Sequence, residues 1–330
     1  MQPSGLTLFW AGVIAVAILI YAILDGFDLG VGILFRLARR EEERAWMINT
    51  IAPYWDGNQT WLVMIGASLY AAFPVVYAIL LGALYVPVLL LMIGLIFRGI
   101  AFEFRHRTVR MRWLWDWGFF LGSALVAFVQ GAAVGVMMRG IPVENSQYAG
   151  QAFGWLHPFS IVTGVGMVFG YTLLGASWVA LKSEGGIRAW AYRRIPWLVG
   201  AVLAVLFLAF LLTFQYSVHA RSNLEARPWG FVFPAIGLLA LLGVLFGVWK
   251  KRDGMPFAMT ALFFLAAYLT LGVMFWPFMV PYAVTVVQAA APEASLSFLF
   301  VGGIVVLPVV VLYTLAVYWV FRGKVRAGYG

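Results

Sequence analysis

The 330-residue chain contains no cysteine, which excludes disulfides, iron–sulfur clusters and thiolate metal sites. It has 3 histidines, none placed for haem ligation from within a membrane helix. His106 falls in a basic connection, His219 in an outer loop, and His157 just before Pro158 at the outer start of an apolar stretch. No Lys or Arg precedes Arg36, so the basic leader of a cleavable signal peptide is missing and the first apolar segment is expected to stay in the mature protein. Charged residues are only 11% of the chain. Apolar residues make up 64%, with 15 tryptophans, a composition whose natural solvent is lipid.

The sequence therefore predicts an all-α polytopic membrane protein. Nine stretches have spanning length, at about 8–35, 54–73, 76–104, 115–138, 156–181, 196–216, 229–249, 256–280 and 296–321. Nineteen Lys and Arg follow the odd-numbered spans, against three on the other side, Arg139, Arg221 and Arg227. By the positive-inside rule the N-terminus is periplasmic and the C-terminus cytoplasmic. The net charge of +9 then reflects this bias and contact with anionic lipid, not a nucleic-acid surface. Trp113, Trp115, Trp117, Trp155, Trp229 and Trp319 cluster at span ends as an aromatic belt does. No connection is long enough to fold alone, so residues 1–330 read as a single transmembrane domain.

Against this apolar background, Asp25 and Asp28 stand out, because an ionisable group inside a membrane helix costs on the order of 2.5 to 3.5 kcal/mol on insertion scales. Three residues apart, they share a helix face. In low dielectric, one proton held between two such carboxylates is the expected state. They lie roughly 10 to 15 Å inside the cytoplasmic end of the first span, at about 1.5 Å per residue. Asp56 falls in the first turn of the second span, where free N–H groups and the helix dipole favour an ionised carboxylate. Arg98 can neutralise Asp56 or one of the Asp25 and Asp28 pair, and Glu103 can pair with Arg107 at i,i+4. Gly26 and Gly30 form a GxxxG, which marks close helix packing. Spans 4 to 9 read as free of Asp, Glu, Lys and Arg, which assigns the functional cluster to residues 1–112 and an apolar scaffold to 113–330. The same charges also suit a purely structural clamp between helices.

Three motifs in order carry a resemblance. Tyr21-Ala-Ile-Leu-Asp-Gly-Phe-Asp-Leu-Gly-Val-Gly32, the run from Ile51 to Trp61, and Leu95-Ile-Phe-Arg-Gly-Ile-Ala-Phe-Glu-Phe-Arg105 closely resemble subunit II of the cytochrome bd quinol oxidases. The likeness extends through Trp115-Asp116-Trp117-Gly118 to Trp276-Pro277, and the short outer loops are similar to those of the cyanide-insensitive branch. The resemblance implies a terminal oxidase passing electrons from membrane quinol to O2, making water and contributing to the proton gradient. It puts the b and d haems and the quinol-oxidising loop in subunit I. Subunit II is then the haem-free partner, with no catalytic or metal-binding residue of its own. The resemblance implies a cytoplasmic proton pathway through Asp25, Asp28, Asp56 and Glu103, with Arg98 fixing their geometry. It leaves open a structural quinone or lipid and a small accessory subunit. The alternatives are a proton-coupled secondary transporter, which would need a polar substrate site that spans 4 to 9 lack, and a purely structural assembly subunit.

Overall fold

The computed structural model describes residues 3–105, 107–108, 110–216 and 226–325; His106, His219, Arg221 and Arg326 lie outside the described residues. The chain is a helical bundle: α1 (Gly5–Phe35), α2 (Glu41–Ile51), α3 (Trp55–Ala72), α4 (Pro74–Ala83), α5 (Tyr85–Phe104), α6 (Arg112–Arg139), α7 (Pro158–Lys182), α8 (Gly185–Tyr216), α9 (Val232–Trp249), α10 (Gly254–Phe275), α11 (Val286–Ala289) and α12 (Glu293–Val320). Two short antiparallel hairpins, β1 (Val143–Glu144) with β2 (Gln147–Tyr148) and β3 (Phe278–Val280) with β4 (Val284–Thr285), occupy connections. Asn145 and Ser146 turn the first hairpin with φ of 49° and 60°, the left-handed pair that a tight two-residue hairpin turn demands.

Eight of the described helices are long and apolar enough to cross a bilayer. The sequence reading counts nine, and α3 makes the difference. It has 18 residues, about 27 Å at 1.5 Å per residue, and its start is polar with Asp56, Asn58 and Gln59. The expected third span is broken at Leu84 into α4 and α5. Pro87 explains the break: it has no N–H to donate, and its ring conflicts with the carbonyl four residues back, that of Ala83. Span 8 ends at Phe275 instead of 280, since Pro277 holds Trp276 extended, at ψ 132°.

One connection holds a helix beyond the expected spans, and one further reading needs correction. The connection after the first span contains α2, a helix whose first turn carries Glu41, Glu42 and Glu43, where the helix dipole favours acids. Spans 4 to 9 are also not free of charge. Asp116 stands inside α6 and is buried, and Arg98 is a buried mid-helix residue of α5 and not a loop cation, which leaves eighteen against three in the charge alternation.

Helix α1 is the central post. Every residue from Asp25 to Phe35 is buried, as expected of a helix packed on all sides, here by α3, α6 and α7. Its closest approach is to α7. A Cβ on Gly30 would overlap the Tyr171 carbonyl, and one on Gly175 would overlap the Gly30 backbone, so the two main chains touch at the GxxxG. A similar approach of Gly94 on α5 to Gly122 on α6 sets Arg98 against the bundle interior. Helix α12 lies at the periphery with only Leu296 and Gly303 buried. It is pinned at both ends. Trp10 Nε1 donates to the Leu296 carbonyl, while Tyr54 Oη and Lys182 Nζ donate to the Phe321 carbonyl just beyond the last turn.

Candidate functional site

Asp25, Asp28 and Arg98 converge in the bundle interior, with relative exposures of 0%, 0% and 1%. Arg98 Nη1 is 2.7 Å from Asp25 Oδ1, and Nη2 is 3.7 Å from Asp28 Oδ2. One guanidinium therefore serves two carboxylates. Asp25 and Asp28 can share it because three residues of helix put them on one face. Asp25 Oδ2 and Asp28 Oδ1 accept no hydrogen bond among the described residues. Two acids and one base in so dry a place leave one charge to be balanced, by a proton or another cation.

A polar chain leads away on each side. Asn58, from the second turn of α3, donates through Nδ2 to Asp28 Oδ2 at 2.7 Å and to the Leu24 carbonyl at 3.2 Å. Its Oδ1 accepts from the Tyr318 hydroxyl of α12 at 3.0 Å. On the other side Tyr21, one turn of α1 before Asp25, accepts from Gln130 Nε2 at 3.0 Å, and Gln130 Oε1 accepts from the Tyr171 hydroxyl at 2.7 Å. Asn58 lies in the motif run from Ile51 to Trp61, where its amide adds unusual polarity to a helix start. Tyr318, Gln130 and Tyr171 carry no spacing signal in their apolar spans, and Tyr21 enters the sequence reading only as the first residue of a motif.

The structure does not bring the other two candidates to this cluster. Asp56 is in the first turn of α3, but its side chain is exposed and forms no ion pair among the described residues. Arg98 thus pairs with Asp25 and Asp28, and not with Asp56. Glu103 is also exposed and makes the expected i,i+4 pair with Arg107, at 2.6 Å.

A second charged group, missed in the sequence, clamps the start of α2, the end of α5 and the start of α6. Asp116 accepts from Arg44 Nη1 at 2.9 Å and Arg105 Nε at 2.7 Å, and Arg105 Nη2 reaches Glu41 at 2.6 Å. Arg105 is itself buried and lies over the Phe35 ring. The signal for this clamp was the acid inside Trp115-Asp116-Trp117. A third group joins α8, the α9–α10 turn and the chain beyond α12: Asp253 accepts from Arg188 Nε, the Tyr192 hydroxyl and Lys324 Nζ, each at 2.7 Å. Burial works to raise the Asp253 carboxyl, but these three donors prevail and hold it below the usual carboxylate range.

A haem needs axial donors. His157 caps α7, its Nδ1 accepting from the Phe159 N–H, and burial together with the Arg139 guanidinium pushes its imidazole below its ordinary value. Among the described residues no three His, Asp or Glu side chains gather as metal ligands. The other two histidines, His106 and His219, lie outside the described residues.

Taken together, fold and site define a polytopic helical membrane protein built around a buried acid–base triad. The sequence profile of the family "Cytochrome bd terminal oxidase subunit II" matches residues 6–321. The chain is 31% identical to cytochrome bd-I ubiquinol oxidase subunit 2 of Escherichia coli, over 97% of this chain and 95% of that one. It is 31% identical to cytochrome bd ubiquinol oxidase subunit 2 of Bacillus subtilis, over 96% of each. In fold it is similar to a chain of the bd oxidase from Geobacillus thermodenitrificans, with a TM-score of 0.76 over 96% of this chain and 99% of the other at 17% identity. The chain belongs to the cytochrome bd terminal oxidase subunit II family, and so to an oxidoreductase complex of the bacterial cytoplasmic membrane.

Proposed function

We propose that this chain is the haem-free second subunit of a quinol:O2 oxidoreductase and that it conducts protons from the cytoplasm toward the site of O2 reduction in subunit I. Haems b and d, the quinol site and O2 belong to that partner. In this reading α3 is the ninth span, the N-terminus is periplasmic and the C-terminus cytoplasmic, and residues 1–330 form one membrane domain of the short-loop, cyanide-insensitive kind. A secondary transporter is not favoured, since the family is one of oxidase subunits.

One observation carries the proton assignment. Asp25 and Asp28 are fully buried around a single guanidinium, with two carboxylate oxygens accepting no hydrogen bond. A set of two acids and one base becomes neutral when it holds one proton, and the proton can pass between the acids without unbalancing the charge. Arg98 positions both acids. Asp56 and Glu103, exposed on the described surface, are assigned to collecting protons near the cytoplasmic face.

The test is quinol-driven oxygen uptake per assembled, haem-containing complex for Asp25→Asn, Asp28→Asn and Asp56→Asn. A fall of roughly a hundred- to ten-thousandfold in turnover with normal haem content is expected for the buried pair, the range typical of a lost proton-transfer group. Unchanged turnover in both buried variants would leave the cluster only a clamp.

A further inference from the structure

Helices α8 and α9 do not close fully on each other. Between them lies a groove of about 170 Å³, lined by Val199, Leu203, Leu238, Leu241, Leu242 and Leu245. Val199 and Leu241 are its buried floor, while Leu203, Leu238 and Leu242 form exposed walls. In the orientation proposed above, on which this inference rests, the groove faces the cytoplasmic half of the bilayer, because α8 begins and α9 ends on the basic side of the molecule.

Its mouth is built of different material. Five residues beyond Leu245, about 7.5 Å along the helix axis, come Lys250, Lys251 and Arg252. None of the three pairs with an acid among the described residues. The nearest carboxylate in sequence, Asp253, is already taken by Arg188, Tyr192 and Lys324. That brace, with Arg188 Nη2 donating to the Lys251 carbonyl at 3.3 Å, also fixes the start of α8 against the turn and so holds the mouth at one width. Trp249, the last residue of α9, stands exposed at 72%, and the Lys250 ammonium lies 4.2 Å from its ring centroid. Indole rings of this kind settle at the headgroup level of a bilayer.

We propose that this corner is a binding site for one anionic phospholipid of the cytoplasmic leaflet, with an acyl chain in the α8–α9 groove and the phosphate on the Lys250–Arg252 triplet. The apolar groove alone would accept any acyl chain. The unneutralised triplet selects the negative headgroup, and the Asp253 brace keeps headgroup and chain sites in register.

The test uses the whole oxidase complex, purified in detergent and examined by native mass spectrometry with added phosphatidylglycerol or phosphatidylcholine. Neutralising the triplet, K250Q with K251Q and R252Q, is expected to weaken phosphatidylglycerol retention by roughly a hundredfold, at about fivefold per basic residue near the surface. Phosphatidylcholine retention should not change. Because removing cytoplasmic charge can disturb insertion, Leu242→Trp tests the groove with the triplet intact, and it should release the same lipid while leaving haem content unchanged. Equal retention of both lipids by the unaltered complex, or phosphatidylglycerol retention that neither change affects, would overturn the proposal. So would a triplet variant that loses subunit I while lipid per remaining complex stays constant, since the face would then belong to a protein partner.

Discussion

Arg98 stands 2.7 Å from Asp25 and 3.7 Å from Asp28, so a single guanidinium holds two acids from one turn of α1. The arrangement is asymmetric, and Asn58 supports the acid that the arginine holds less closely. Removing the arginine leaves both carboxylates buried without their counter-charge.

Arg98→Met is therefore expected to cost about 3 to 5 kcal/mol and to abolish assembly. The triple change Asp25→Asn, Asp28→Asn and Arg98→Met removes every charge at once and should recover much of the yield without recovering turnover. Membrane yield and thermal unfolding of the purified complex measure both.

Asp116→Ala leaves Arg105 buried beside only the half-exposed Glu41. A loss of about 2 to 4 kcal/mol is expected, concentrated where α2 docks on α5 and α6. Amide exchange should rise across Glu41–Ile51 and stay constant in α7; uniform protection in the variant would contradict the clamp.

Gly30→Ala is expected to be more damaging than its size suggests, because the obstacle is the Tyr171 carbonyl and not a side chain that can turn aside. Strain of at least about 1 to 3 kcal/mol follows. Gly12→Ala is the control: a Cβ there meets nothing within 4 Å, so it should be neutral or stabilising by up to about 1 kcal/mol through helix propensity. Thermal midpoints of the two variants measure the difference.

The Asp253 brace has a defined pH window. Its carboxyl is held below the usual value in the folded state, so its contribution is complete above about pH 4, the unfolded carboxylate pKa, and fades as pH falls through the lower folded value. The stability difference between the unaltered protein and Asp253→Asn should stay constant from neutral pH to about 5 and shrink in stronger acid. A difference that grew on acidification would have the wrong sign.

Much of this molecule was legible because lipid imposes one rule on every span, that its backbone be satisfied internally by a long apolar helix. Asp25, Asp28 and Arg98 were readable because charge is rare in such helices. The limits had specific causes. Asp56 was readable as a first-turn carboxylate within reach of Arg98, but which face of α3 turns inward is set by packing, and its side chain is exposed. Asp116 was hidden by tryptophans on both sides that raise the apparent hydrophobicity of the stretch. Helix α2 was missed because a short polar helix has none of the apolar length that marked the others. The tyrosines and Gln130 gain meaning only from the helix that each one meets across the bundle.

The double pinning of α12 gives the last helix the mechanics of a bowstring. Its ends are tied through Leu296 and Phe321, its middle rests against little else in the chain, and Pro308 removes a backbone bond from that middle. Beside the second tie, the Tyr318 hydroxyl donates to Asn58, which donates to Asp28, so the anchored end of the last helix and the buried acids share one polar thread.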